Sequence, residues 1–141
     1  MSKPQLDFIY LDDEKSMRDL VSRLIPISFP KFNVEVRMGE TGLALAELVR
    51  TYKPQGIITD NNMPGMDGVY ALANLPNDIV GLLDVYGQPY SIPKVLMTTG
   101  KLDEAIRDSE RCKLKDISFL AKPYAIQNFM SATRKIWPEY S

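Results

Sequence analysis

Residues 57–68 read IITDNNMPGMDG. Ile57, Ile58 and Thr59 are short, apolar or β-branched, which predicts the end of a buried strand. Asn61, Asn62, Pro64, Gly65, Asp67 and Gly68 are turn formers, so the chain bends directly after Asp60. Asp60 therefore stands at the carboxyl end of a buried strand. That is the edge at which an open α/β sheet places its ligand. Position alone leaves a second reading open, in which Asp60 only caps a turn.

Length and composition narrow the function classes. A chain of 141 residues is long enough for one ordinary domain with a real core. An apolar share of 45% beside 25% charged residues is globular rather than disordered. Seventeen basic against 18 acidic side chains give net charge −1, which carries neither a nucleic-acid signature nor a polybasic membrane patch. No apolar run approaches the ~20 residues of a transmembrane helix. The start, MSKPQLDFIY, has no signal-peptide core. Cys112 is alone, so no internal disulfide forms, and a reducing cytoplasm is the expected setting. There is no histidine, which excludes a Ser-His-Asp triad, a Cys-His pair and a His-ligated zinc. Carboxylates, lysine and hydroxyls must carry any chemistry.

Outward from residues 57–68, the chain alternates strand and helix. Residues 6–11, LDFIYL, predict a strand that ends in Asp12, Asp13 and Glu14. Three adjacent acids repel unless solvent or a cation relieves them. The plainer alternative is a solvated loop with Asp13 capping the next helix. Met17, Leu20, Val21, Leu24 and Ile25 give that helix its spacing, with Pro26 and Pro30 as its expected stop. Val34, Val36 and Met38 alternate as a second strand, and Leu45, Leu48, Val49 and Tyr52 mark a second helix ended before Pro54. A third helix is expected over 69–75, interrupted at Pro76. A fourth strand is expected over 92–98, ending in Thr98-Thr99-Gly100, then a charged, weakly amphipathic helix over 102–114. A short fifth strand over 118–121 leads into Lys122-Pro123. Ile126, Phe129, Met130, Thr133, Ile136 and Trp137 form the last stripe, read as core rather than as a cofactor box.

Five alternations predict a doubly wound parallel sheet with helices on both faces, in one domain over 1–141. In such a sheet all carboxyl ends share one edge. Asp12 and Asp13, Asp60, Thr98 and Thr99, and Lys122 then converge there. Clustered carboxylates without histidine suit Mg²⁺, a hard cation that takes oxygen ligands and commonly bridges to phosphate. A carboxylate also attacks phosphorus to give an aspartyl phosphate. Mg²⁺, a lysine and a hydroxyl would then stabilise the phosphoryl oxygens. A compact lysine ammonium suits a crowded edge better than arginine.

LDDE at 11–14, TDNNMPGMDG at 59–68, VLMTTG at 95–100 and FLAKPY at 119–124 stand in one order across nearly the whole chain. In these pieces the sequence resembles the receiver domain of two-component response regulators, in particular the stand-alone chemotaxis type. The resemblance implies a flavodoxin-like sheet of order 2-1-3-4-5. It implies Asp60 as phosphoacceptor and a Mg²⁺ held by Asp13 directly, by Asp12 through water, by Asp60 and by the backbone carbonyl of Asn62. Lys122 would pair with the phosphoryl group, Thr99 would be the switch hydroxyl and Phe119 the switch aromatic. The Lys122–Pro123 bond is cis in the family. Plainer readings stand beside these: Lys122 as a surface lysine, Phe119 as core, Thr98 as an inward strand residue.

The chain departs from the family pattern in two places. The connection over 76–93 is longer than usual. Ile79, Leu82, Leu83 and Tyr86 recur there at helical spacing, with Asn77 as a cap and Gly87 as a stop, which predicts a short extra helix. That helix either packs back on the domain or offers a partner or self-association surface. Gly100 replaces the usual alanine and Lys101 follows it, which bears on the lifetime of the phosphorylated form.

The leading expectation is a phosphorylation-dependent switch. It accepts a phosphoryl group from a sensor histidine kinase or phosphotransfer protein and then binds a target protein. It is not an enzyme beyond its own phosphorylation and dephosphorylation, and contacts neither nucleic acid nor membrane. The final helix nears the end of the chain, so no DNA-binding domain is expected to follow; the reading beside it is a receiver cut from a longer protein. The alternatives are a Mg²⁺-dependent phosphatase or phosphotransferase, and a phosphorylation-independent binding module. Asn62 stands where haloacid-dehalogenase phosphatases carry their second acid, which counts against the former. Intact Asp13, Asp60, Thr99 and Lys122 count against the latter.

Overall fold

Strand β1 (Gln5–Leu11) is an inner strand of the sheet and sorts its side chains by parity. Ile9 and Leu11 enter one apolar cluster; Leu6, Phe8 and Tyr10 enter the other. These two clusters are the two faces of a five-stranded sheet. The computed structural model describes residues 2–141. In chain order it continues with α1 (Lys15–Ser28), β2 (Asn33–Gly39), α2 (Leu45–Tyr52), β3 (Gly56–Asp60), α3 (Gly68–Asp78), β4 (Val95–Thr99), α4 (Leu102–Arg111), β5 (Ile117–Ala121) and α5 (Ile126–Ile136). The strands are parallel in the order β2-β1-β3-β4-β5, as expected.

One face buries Leu45 and Val49 of α2, Val69, Leu72 and Leu75 of α3, and Ala105 of α4. The other buries Val21, Leu24 and Ile25 of α1, Phe129 of α5, and Trp137 just beyond it. Trp137 is core, as its stripe predicts: it is 2% exposed and meets the Phe8 ring edge-on at 4.9 Å. Each fully buried large side chain contributes about 1.5–3 kcal/mol.

Tertiary packing overrides several local signals. Helix α1 runs through Pro26 to Ser28, and α3 runs through Pro76 to Asp78, so neither proline is the stop it was expected to be. Ile25 and Phe29 flank the first proline and are fully buried, and Leu75 and Ile79 anchor the second. Their burial holds the helices across the missing hydrogen bonds. Strand β4 starts at Val95 rather than at 92 and extends to Thr99, and α4 stops at Arg111. Helix α4 is also clearly two-sided, with Ala105 and Ser109 inward and Asp103, Arg107 and Glu110 outward.

The extra helix over 79–86 does not form. Gly81 and Gly87 have φ of +83° and +77°, and Leu83 pairs with Pro89 in an antiparallel bridge. The Asp84 carboxylate accepts from the Tyr86 and Gln88 amides at 2.8 and 3.0 Å. A side chain that ties its own loop competes with helical bonding. Asn77 lies inside α3 rather than capping anything, and Gly87 is a turn residue. Ile79 and Leu82 pack on the core while Val85 and Tyr86 are 84% and 85% exposed, so the expected helical partner face is not built.

Candidate functional site

The carboxyl ends of β1, β3, β4 and β5 bring together the residues expected there. Asp12 is fully buried, Asp60 is 5% exposed and Asp13 is exposed. Carboxylate oxygens of the three lie within 4.8 Å of one another. The N-cap of α1 is Glu14, so Asp13 does not serve as the cap. Asp60 is no cap either. Asn61 takes that part, its Oδ1 accepting from the Val69 amide at 2.9 Å at the start of α3.

Lys122 reaches into the cluster. Its Nζ stands 3.3 Å from Asp12 Oδ2 and 3.5 Å from Asp60 Oδ2, so it is no free surface lysine. Its backbone amide donates to the Thr99 carbonyl at 2.8 Å, which ties the end of β5 to the end of β4. The Lys122–Pro123 bond is cis. Burial pushes the Asp60 carboxyl up to about 6; the Lys122 charge opposes this and the Asp12 charge adds to it. Burial by itself would lower the Lys122 ammonium, but the Asp60 and Asp12 charges outweigh it and raise the group.

Thr99 is fully buried, and its hydroxyl donates to Asn62 Oδ1 at 3.0 Å while accepting from the Lys101 amide at 2.9 Å. The family resemblance implies a role only for the backbone of Asn62, whereas its side chain also holds the Thr99 hydroxyl. Thr98 points inward, its Oγ1 buried without a partner among the described residues. Phe119 pairs with Met97 across β4 and β5, and packs on the same cluster as Ala105.

Residues not singled out from the sequence complete the site. The Tyr10 hydroxyl donates to Asp12 Oδ2 at 2.6 Å, and the Glu14 amide donates to Asp12 Oδ1 at 3.0 Å. Arg18 donates to the Asp12 carbonyl at 2.8 Å and pairs with Glu40. Tyr124 brings a buried hydroxyl with no partner among the described residues, pushed up to about 12 by burial and by the Asp12 and Asp60 charges. Tyr10 was legible in principle, because residues i and i+2 of a strand share a face.

The donor set suits a hard divalent cation. Three carboxylates meet one lysine ammonium, all the donors are oxygens, and the Asp60 carboxyl stays above its ordinary range despite Lys122. A family model described as "Response regulator receiver domain" matches residues 8–134. The chain belongs to that family.

The receiver is 31% identical over 102 residues to the transcriptional regulatory protein DegU of Brevibacillus brevis, a match that covers 70% of this chain and 42% of that protein. The chain thus spans less than half the length of this curated relative. Among solved structures, the chemotaxis protein CheY4 of Vibrio cholerae superposes with TM-score 0.72 at 18% identity, over 94% of this chain and 98% of that one. A LuxR-family DNA-binding response regulator from Staphylococcus aureus superposes with TM-score 0.68 at 21% identity, over 93% and 98%. At such identities the structural likeness is one of fold. No helix among the described residues is long and apolar enough to cross a membrane.

Proposed function

We propose that this receiver is a switch driven by phosphorylation of Asp60, with a sensor histidine kinase or phosphotransfer protein as donor. The observation that carries the reading is the buried Asp60 carboxylate, with Lys122 at 3.5 Å and Asp12 and Asp13 beside it. An Asp60 oxygen attacks phosphorus. The new O–P bond forms as the P–N bond to the donor imidazole breaks, and the electron pair leaves on that nitrogen. A carboxyl with a pKa of about 6 is mostly ionised at neutral pH and so available as nucleophile. Lys122 turns its ammonium from the carboxylates to the phosphoryl oxygens, and Thr99 supplies a hydroxyl donor. Asp12, Asp13, Asp60 and the Asn62 backbone carbonyl would hold Mg²⁺. Bound there, the ion adds positive charge where the phosphoryl group gains negative charge.

An apolar recess lined by Met17, Leu20, Pro123, Tyr124 and Ile126 adjoins Lys122, which suits a protein donor better than a small molecule. The stand-alone chemotaxis type rests on fold likeness alone. The 31% identical relative is named a transcriptional regulatory protein, which favours an output on transcription. The balanced charge of this chain favours a protein as the direct target rather than nucleic acid, and a cytoplasmic setting belongs to the same reading.

The test is incubation with acetyl phosphate and Mg²⁺ followed by mass spectrometry. One added phosphoryl group is expected on the wild type and none on Asp60→Asn. Equal labelling of the variant would sink the assignment. Asp13→Ala should also weaken Mg²⁺ binding in calorimetry.

A further inference from the structure

Asp12 is held from every side. Its amide donates to the Gly39 carbonyl at 3.1 Å, and its carbonyl accepts from the Arg18 guanidinium at 2.8 Å. Its Oδ1 accepts from the Glu14 amide at 3.0 Å. Its Oδ2 accepts from two donors, the Tyr10 phenol at 2.6 Å and Lys122 Nζ at 3.3 Å. The phenol bond is the shorter and is wholly buried. Tyr10 itself has no freedom to leave, being fully buried in the cluster with Phe8, Val21, Ile25 and Ile58. Its position follows from the strand: Phe8, Tyr10 and Asp12 alternate onto one face of the sheet.

The phenol occupies part of the oxygen that Lys122 would otherwise take for itself. Lys122 is left almost midway, 3.3 Å from Asp12 and 3.5 Å from Asp60. Without the phenol, Asp12 Oδ2 presents a bare lone pair beside an ammonium in a buried place. The lysine would close on it, leave Asp60 and cover the oxygen that a metal ion or its water must reach. Asp12 would also lose one of the bonds that fix its plane.

We propose that Tyr10 is a positioning residue of the phosphorylation site, whose hydroxyl orients Asp12 and keeps Lys122 shared between Asp12 and Asp60. This rests on the Mg²⁺ reading above, and extends it from the carboxylates to the group behind them. Outer partners of metal-binding carboxylates commonly change affinity by about 10–100-fold when removed.

The test compares wild type with Tyr10→Phe, which keeps the ring and removes only the hydroxyl. Calorimetric titration with Mg²⁺ alone, at a temperature where both proteins are folded, should show about tenfold weaker binding in the variant. Equal affinity in both proteins means that Tyr10 is core and no more, and overturns the inference while leaving the Mg²⁺ reading intact. Absence of Mg²⁺ binding by the wild type overturns both. If Tyr10→Phe does not fold, the wild type with ¹³C-labelled tyrosine rings decides. Saturating Mg²⁺ should move the ζ-carbon resonance of Tyr10, and an unmoved resonance overturns the inference.

Discussion

The Thr99 hydroxyl is bonded to the side chain of Asn62, Oγ1 to Oδ1 at 3.0 Å, and so is already engaged before any phosphoryl group arrives. To donate to a phosphoryl oxygen on Asp60, Thr99 must give this bond up. A neutral hydrogen bond contributes about 0.5–1.5 kcal/mol net, and one to a charged group about 1.5–3. The exchange favours the phosphoryl group.

Thr99→Ala should therefore still be labelled at Asp60 yet fail to pass the signal on. Thr99 leaves space beside β4, and Phe119, on the same face of the neighbouring strand, is the side chain placed to use it. Moving a two-state element from about 1:99 to 99:1 takes roughly 5.5 kcal/mol, within reach of a few charge-assisted bonds. NMR shifts on phosphorylation should reach Phe119 and α4 in the wild type and shrink in Thr99→Ala. The same distant shifts in both proteins would exclude Thr99 as the relay.

Asp60 makes stability depend on pH. Its folded pKa, about 6, lies above its ordinary value, so between about pH 4 and 6 the folded protein holds more protons than the unfolded one. The associated stability is complete below the unfolded pKa and is lost as pH rises through the folded one. Without divalent cation, Asp60→Asn should be more stable than wild type at pH 7.5 by on the order of 2 kcal/mol, and the gain should vanish near pH 4. Urea melts at both pH values measure this. A gain of equal size at both would show that the Asp60 charge is not its source.

The sheet order followed from the family resemblance, and the converging acids, hydroxyl and lysine were legible because four of the five strands lead into a chemically distinct residue. Asp12, Asp60, Thr99 and Lys122 all carry that signature. The partners of these groups were not. Tyr10 reads as one more apolar strand residue until its hydroxyl is seen on Asp12, and Asn62 reads as a turn residue until its amide is seen on Thr99. Pairings across the fold leave no local pattern. Residues 79–86 failed for another reason. Their apolar spacing imitates a helix, while Gly81 and the Asp84 carboxylate enforce a hairpin.

That hairpin separates two substitutions that a helix would have made alike. Leu82 packs on the core and Tyr86 stands in solvent. Leu82→Ser should cost about 2 kcal/mol or more, and Tyr86→Ser should stay within about 0.5. Chemical denaturation of each single variant is the check. Comparable losses from both would mean that Tyr86 is packed and the hairpin is wrong.

Two glycines near the site should respond oppositely to the same change. A Cβ on Gly68 would lie 2.6 Å from the backbone carbonyl oxygen of Asp60 and 3.1 Å from the Thr59 hydroxyl. That hydroxyl already donates to the Asp60 carbonyl at 2.7 Å, and the Gly68 amide bonds the Asn61 carbonyl at 2.8 Å. The nearest obstacle is the Asp60 backbone oxygen, with the Asn61 Cα behind it at 3.3 Å, so rotation of the Thr59 side chain alone gives no relief. Relief requires α3 to move off the end of β3, carrying the loop that sets Asp60 and Asn62. Overpacking of this kind costs about 1–3 kcal/mol. A Cβ on Gly100 meets nothing within 4 Å, and its φ is not in the left-handed region. There an alanine only restricts the unfolded chain, a gain of about 0.4–1 kcal/mol. Gly68→Ala should therefore lose stability in urea melts and label poorly with acetyl phosphate, while Gly100→Ala should be neutral to stabilising and label normally. Full stability in Gly68→Ala would mean that α3 is not pressed against the phosphoacceptor's backbone.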